Sequence, residues 1–188
     1  MKLVWMVLFA LPIISLTSCE DDKDELFKDY SNLLGKTETE VLNIMDRPAT
    51  QVTAAIYFEN INDVPNVEEV DVYWTLDDYD DNGNLIVFNK AVQVDTYLVG
   101  LTSAEITNHL TDLYGKSKVL TYEDEEDGDV WTETRWEKGN KYIFFDAEDL
   151  TVTYVDKKEW DKSVANYGGD DDNAAMSLRA RKLRRAHR

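Results

Sequence analysis

The chain is poor in the residues that most often carry catalysis or covalent cross-links. Its 188 residues include one cysteine, Cys19, and two histidines, His109 and His187. A single thiol excludes an internal disulfide, and two histidines exclude a histidine-rich metal site. No G-x-S-x-G, H-E-x-x-H, P-loop or dinucleotide glycine pattern is present, so nucleophilic, zinc-dependent and nucleotide chemistry have no visible apparatus. Bases are few: 20 lysines and arginines face 38 acids, for a formal charge of −18. That balance argues against a nucleic-acid binder, whose affinity comes from neutralising phosphates. The one long apolar run, residues 3–14, is too short for an ordinary transmembrane helix. What remains is 43% hydrophobic and 11% aromatic. This excludes a wholly disordered chain and is enough for one core without disulfide staples.

The N-terminus reads as an address. Lys2 precedes the apolar run, and Leu16-Thr17-Ser18-Cys19 follows it. The arrangement resembles a bacterial lipobox, which implies that residues 1–18 are a cleaved signal peptide and that the Cys19 thiol carries diacylglycerol. Two or three acyl chains anchor stably where one does so only marginally. Lipidation also accounts for a lone thiol in an oxidising compartment. An acidic run, Glu20-Asp21-Asp22-Lys23-Asp24-Glu25, makes 19–25 a solvated tether. It resembles the export signal of surface lipoproteins of Bacteroidetes, which implies an outer-membrane, surface-exposed location. A plain soluble linker is the alternative reading of the same run.

Periodicity divides the rest. Leu26, Tyr30, Leu33 and Leu34 form one stripe, predicting a first helix over 24–34 with Gly35 as its cap. Thr37 and Glu40 form a capping box for a second helix, with Val41, Leu42, Ile44 and Met45 inward and Pro48 as its stop. Strands are expected over 52–59 and 70–76, the latter half-buried with Asp71, Tyr73 and Thr75 on its polar side, and over 85–99. A third helix follows from Thr102 and Glu105, with Ile106, Leu110, Leu113 and Tyr114 inward and Gly115 beyond. Four more strands are expected over 118–123, 130–136, 141–146 and 150–156. The fold class is therefore α+β, short helices packed on an antiparallel sheet. The domain spans 26–162, divisible into helix-plus-meander halves 26–100 and 101–162. Residues 163–188 are expected to be a disordered tail. From Ser177 onward the tail holds six bases and no acid, while Glu20 to Met176 holds all 38 acids against 13 bases. The body is thus formally −25 and the tail +6.

The segment Gly35-Lys36-Thr37, Glu40-Val41 and Pro48 resembles the entry of the β-lactamase-inhibitor-like and small outer-membrane assembly lipoprotein families. Residues 102–115 with Trp136, Ile143 and Tyr154 are similar to a pattern in uncharacterised Bacteroidetes lipoproteins. The resemblance implies a helical pair on an antiparallel sheet and an envelope location. Met45-Asp46-Arg47-Pro48 lacks the glycine usual before that proline. No catalytic residue is implied.

Three features are candidates for chemistry. Asp78, Asp80 and Asn82 sit at alternate positions before Gly83, the first half of a calcium loop, which makes weak Ca2+ binding one reading. A solvated hairpin tip built on Asn82-Gly83 is the other, since the twelfth position is Asn89 rather than glutamate. The run Glu123-Asp124-Glu125-Glu126-Asp127-Gly128-Asp129 reads as a solvated loop. Among the tryptophans, Trp74 and Trp136 are expected in the core. Trp131, offset from Trp136 by an odd number of residues, is the candidate exposed aromatic for a protein or glycan partner. His109 reads as a packed histidine. Together these features point to a lipid-anchored envelope protein acting as a non-catalytic binding module. A carboxylate-based glycan hydrolase and a calcium-stabilised module are the alternatives.

Overall fold

Both well-marked helices start as their capping boxes require. The Thr37 hydroxyl accepts from the Glu40 amide, and the Glu40 carboxylate takes the Thr37 N–H at 2.8 Å, opening α1 (Glu38–Met45). Thr102 and Glu105 repeat the arrangement at α2 (Ser103–Tyr114), which ends at Gly115 with φ +86°. The computed structural model describes residues 25–76, 79–80, 82–123 and 130–166. Its strands are β1 (Thr50–Val52), β2 (Ala55–Phe58), β3 (Val67–Tyr73), β4 (Gln93–Leu98), β5 (Lys118–Glu123), β6 (Val130–Lys138), β7 (Lys141–Asp146) and β8 (Thr151–Asp156). A third helix, α3 (Lys157–Asn166), follows β8.

All eight strands form one antiparallel sheet in the order β1-β2-β3-β4-β8-β7-β6-β5. This is the α+β class expected from the sequence. Each half is a helix followed by a four-strand meander, and the halves join where their last strands, β4 and β8, pair. One face carries the main core. Val70, Val72, Val94, Val152, Tyr154 and Trp136 cluster there with Val41 of α1 and with Ile106 and Leu110 of α2. Burying a side chain of this size contributes roughly 1.5–3 kcal/mol.

Several local expectations are corrected. The first helix reduces to a 3-10 turn at Ser31–Leu33. Tertiary and side-chain partners take the polar groups that a helix would have paired internally. Asn66 Nδ2 donates to the Leu26 carbonyl at 2.8 Å, and Asp29 accepts the Ser31 N–H at 2.7 Å. Phe27, Tyr30 and Leu33 still reach the core. The 52–59 run is broken by a two-residue turn at Thr53-Ala54, with Val52 opposite Ala55 and Ala54 at φ +61°. The 85–99 run yields only β4. Leu85 bridges Tyr79, and backbone bonds join Ala91 to Lys36 and Val92 to Tyr73. Ile44 is exposed on α1, and Leu113 on α2.

The C-terminal boundary also moves. The chain is helical to Asn166, past the expected tail start at 163, and this helix closes a second cluster on the opposite sheet face. Trp160 packs on Phe144 at 5.1 Å between ring centroids, beside Tyr142 and Val155. Lys157 locks the first turn: it bonds the Tyr142 hydroxyl and pairs with Glu137 at 3.3 Å and Asp161 at 3.4 Å. The expected tail from 167 onward lies outside the described residues.

Candidate binding face

Strand alternation decides which residues meet on the side opposite α1 and α2. Val70 and Val72 of β3 and Val94 of β4 are inward, so Glu69, Asp71, Tyr73, Gln93, Asp95 and Tyr97 turn the other way. The register sets Asp71 opposite Asp95, Tyr73 opposite Gln93, and Glu69 opposite Tyr97. The row through the acids continues to Tyr57 on β2 and to Thr153 on β8. Directly opposed side chains have Cβ atoms ~5 Å apart, a spacing at which like charges repel.

The two carboxyl groups are also shut from water. Asp71 is 4% exposed and Asp95 is fully buried. Side chains of this face hydrogen-bond with each: Tyr73, Glu69 and Tyr97 with Asp71, and Gln93 with Asp95. The Tyr73 hydroxyl donates to Asp71 Oδ2 at 2.9 Å, and the Gln93 amide donates to both Asp95 oxygens at 3.0 and 3.1 Å. Asp71 Oδ1 and Gln93 Oε1 have no hydrogen-bond donor, and no cationic side chain among the described residues pairs with either aspartate. Burial, reinforced by the Glu69 carboxyl, pushes Asp71 up to about 8. At neutral pH one proton therefore resides on Asp71, which relieves the repulsion. Burial also raises the Tyr97 hydroxyl, and the nearby charges of Asp95, Asp71 and Glu69 add to the effect.

Around this pair the half-buried Tyr57, Glu69 and Tyr97 form a rim. The Tyr57 and Tyr73 rings meet edge to face at 6.2 Å. The patch combines buried carboxyl groups with bordering aromatic rings. Those properties suit an ammonium or guanidinium group, which draws on carboxylate charge and on ring faces together.

The residues singled out from sequence are placed elsewhere. Cys19 and Asp78 lie outside the described residues. Asp80 and Asn82 occupy a hairpin tip in which Asp80 Oδ1 accepts the Asn82 and Asn84 amides at 2.9 and 2.8 Å, while Asn84 Nδ2 reaches its other oxygen at 3.1 Å. Those bonds hold the Asp80 carboxyl below its ordinary range. Among the described residues no group of three or more acidic, histidine or cysteine side chains is placed to hold a metal ion. Register sets Trp131 opposite Tyr122, and its side chain lies outside the described residues. Trp74 and Trp136 are buried. His109 packs edge-on against Phe27 at 4.8 Å, and burial lowers its pKa. An open cavity of about 510 Å³ beside the start of α1, lined by Thr37, Gln51, Trp74 and Phe88 among others, includes neither aspartate.

Asp71 and Asp95 had a visible signal. Val70-Asp71-Val72-Tyr73 and Val94-Asp95-Thr96-Tyr97 share one pattern, an acid and a tyrosine at alternate positions between inward β-branched residues. Their juxtaposition needs the pairing of β3 with β4, which periodicity within either strand does not specify.

No family model matches the chain, and no curated protein or solved structure matches it significantly.

Proposed function

We propose that this chain is a lipid-anchored protein of the bacterial cell envelope, held at the outer-membrane surface through Cys19, and that it acts as a non-catalytic binding module. The observation that carries the binding role is the acid–tyrosine face of β2, β3 and β4. It presents half-buried Tyr57, Glu69 and Tyr97 around a desolvated acid pair, on strands held from both sides by the sheet. Rigid aromatic anchors beside charge are the usual energetic centre of a protein interface. The lipobox-like Leu16-Thr17-Ser18-Cys19 supports the anchor, and the acidic run after it supports surface display.

The test is a pull-down from native envelopes with three baits: the wild-type chain, Cys19→Ala, and a Tyr57→Ser/Tyr97→Ser double variant. A stoichiometric protein or glycan partner retained by Cys19→Ala in detergent and lost by the tyrosine variant supports the module. Partner capture indifferent to the tyrosines overturns the role of this face. Fractionation of Cys19→Ala with the membrane, as for wild type, overturns the lipid anchor.

One observation favours a hydrolase instead: two adjacent carboxyl groups, one with a raised pKa. A glycosidase pair must reach a sugar from both sides of the scissile bond, with its oxygens open to a cleft. Asp95 presents no accessible surface, so the pair is better suited to hold charge than to transfer a proton to substrate. Turnover of envelope glycan by the wild-type chain, abolished in Asp71→Asn, would reverse this preference.

A further inference from the structure

We propose that residues 177–188 of this chain dock on the acid–tyrosine face of β2, β3 and β4, a built-in occupant of the surface that a partner would use. The inference deepens the binding-module reading and rests on it.

The face asks for cations. Asp71 and Asp95 are buried side by side with no cationic partner among the described residues, and Asp71 Oδ1 and Gln93 Oε1 have no hydrogen-bond partner among them. Burying such groups costs several kcal/mol unless a charge or a donor compensates. Tyr57 and Tyr97 are half-buried at the rim, and aromatic rings beside carboxyl groups are the surroundings in which guanidinium groups stack.

The chain holds a matching segment in the right place. Arg179, Arg181, Lys182, Arg184, Arg185 and Arg188 carry six positive charges with no acid among residues 177–188. α3 ends at Asn166 on this same side of the sheet, seated by Trp160 over Phe144 and Val155. β8 is the direct neighbour of β4, so the acids lie only ~5–10 Å across the sheet from the strand that α3 covers. The ten residues from 167 to 176 reach at most ~35 Å, ample for that crossing. A tether of this length keeps the segment at an effective concentration on the order of millimolar. The acidic run at 123–129, of which 124–129 lie outside the described residues, is the competing destination.

The experiment uses the full chain with all six tail bases changed to glutamine, and a synthetic peptide of residues 177–188 titrated calorimetrically at about 50 mM salt. The tail-neutral chain is expected to bind the peptide, and the wild-type chain to bind it at least roughly tenfold more weakly because its face is occupied. Asp95→Asn in the tail-neutral background should weaken binding roughly tenfold. Glu69→Gln, a change at the half-buried rim, should weaken it as well and serves if the buried substitution impairs folding. No binding to the tail-neutral chain, equal binding to both chains, or binding indifferent to both acid substitutions overturns the proposal. The last result would place the peptide on other acids. A wild-type dimer that neutralising the tail converts to monomer would assign the segment to a second copy and overturn docking within one chain. If the peptide fails while the tyrosine-dependent envelope partner is still captured, only this inference falls.

Discussion

Changing Asp71 to asparagine tests the acid pair directly. In the folded chain its carboxyl titrates at about 8, chiefly because it is buried and then because of Glu69. In the unfolded chain it should titrate near 3.9. The native state therefore holds a proton that the unfolded state releases. Stability from this group is complete below pH ~4, declines as pH rises, and is gone above pH ~8. Four pKa units correspond to an upper limit of about 5–6 kcal/mol, comparable with the whole stability of a small domain. The groups facing Asp71 are Glu69 and Tyr73 on its own strand, Asp95 and Tyr97 on β4, and Tyr57 on β2. Asparagine mimics the protonated carboxyl and can donate to Asp95. Urea midpoints at intervals from pH 4.5 to 9 should give a wild-type curve that falls with pH more steeply than the Asp71→Asn curve. The variant should match wild type near pH 4.5 and exceed it by several kcal/mol at pH 8.5. A cation docked over the pair reduces the span, so the tail-neutral chain should show the larger difference. A gap between variant and wild type that stays constant with pH would refute the reasoning.

Other substitutions read separate parts of the molecule. Trp160→Ala removes the main anchor of α3 from Phe144 and Tyr142 and should cost about 3–5 kcal/mol by chemical denaturation, with early loss of helix signal. Thr102→Ala deletes the hydroxyl half of the α2 capping box and should cost about 1 kcal/mol, while Thr102→Ser should restore most of it. Cys19→Ala should move the chain from the membrane fraction to the soluble fraction of the envelope. Millimolar calcium should shift the melting temperature by less than about 1 °C, because the hairpin amides already bond Asp80; a shift of several degrees would make the tip a calcium site.

The reach of sequence reasoning follows the range of the interactions involved. Thr37 with Glu40 and Thr102 with Glu105 act over three residues, so α1 and α2 were legible to within a residue or two. Alternation and turn residues located β5 to β8 almost as well, since Gly139-Asn140 and Ala147-Glu148-Asp149 mark the turns locally. The 24–34 stripe misled because burial alone does not make a helix. Phe27, Tyr30 and Leu33 are buried as a helix would bury them, but Asn66 and Asp29 claim the backbone. Trp160 gave too little apolar pattern to announce α3, whose inward side is completed by Ser163 and Val164.

The acidic candidates show the same division. The conspicuous acids, at 78–82 and 123–129, stood out because they are consecutive, and consecutive charges are the ones most easily solvated. Asp71 and Asp95 are acids flanked by apolar or β-branched residues inside strands and look unremarkable. The chain alone determined its class, its two capped helices and the separation of an acidic body from a basic end, because each depends on neighbouring residues. The Asn82-Gly83 turn already pointed to a hairpin of β3 with β4, but only the tertiary structure decided that β4 also pairs with β8, that the register sets Asp71 opposite Asp95, and that α3 covers one part of that sheet face. Strand pairing across 24 residues and the burial that follows from it are properties of the assembled sheet.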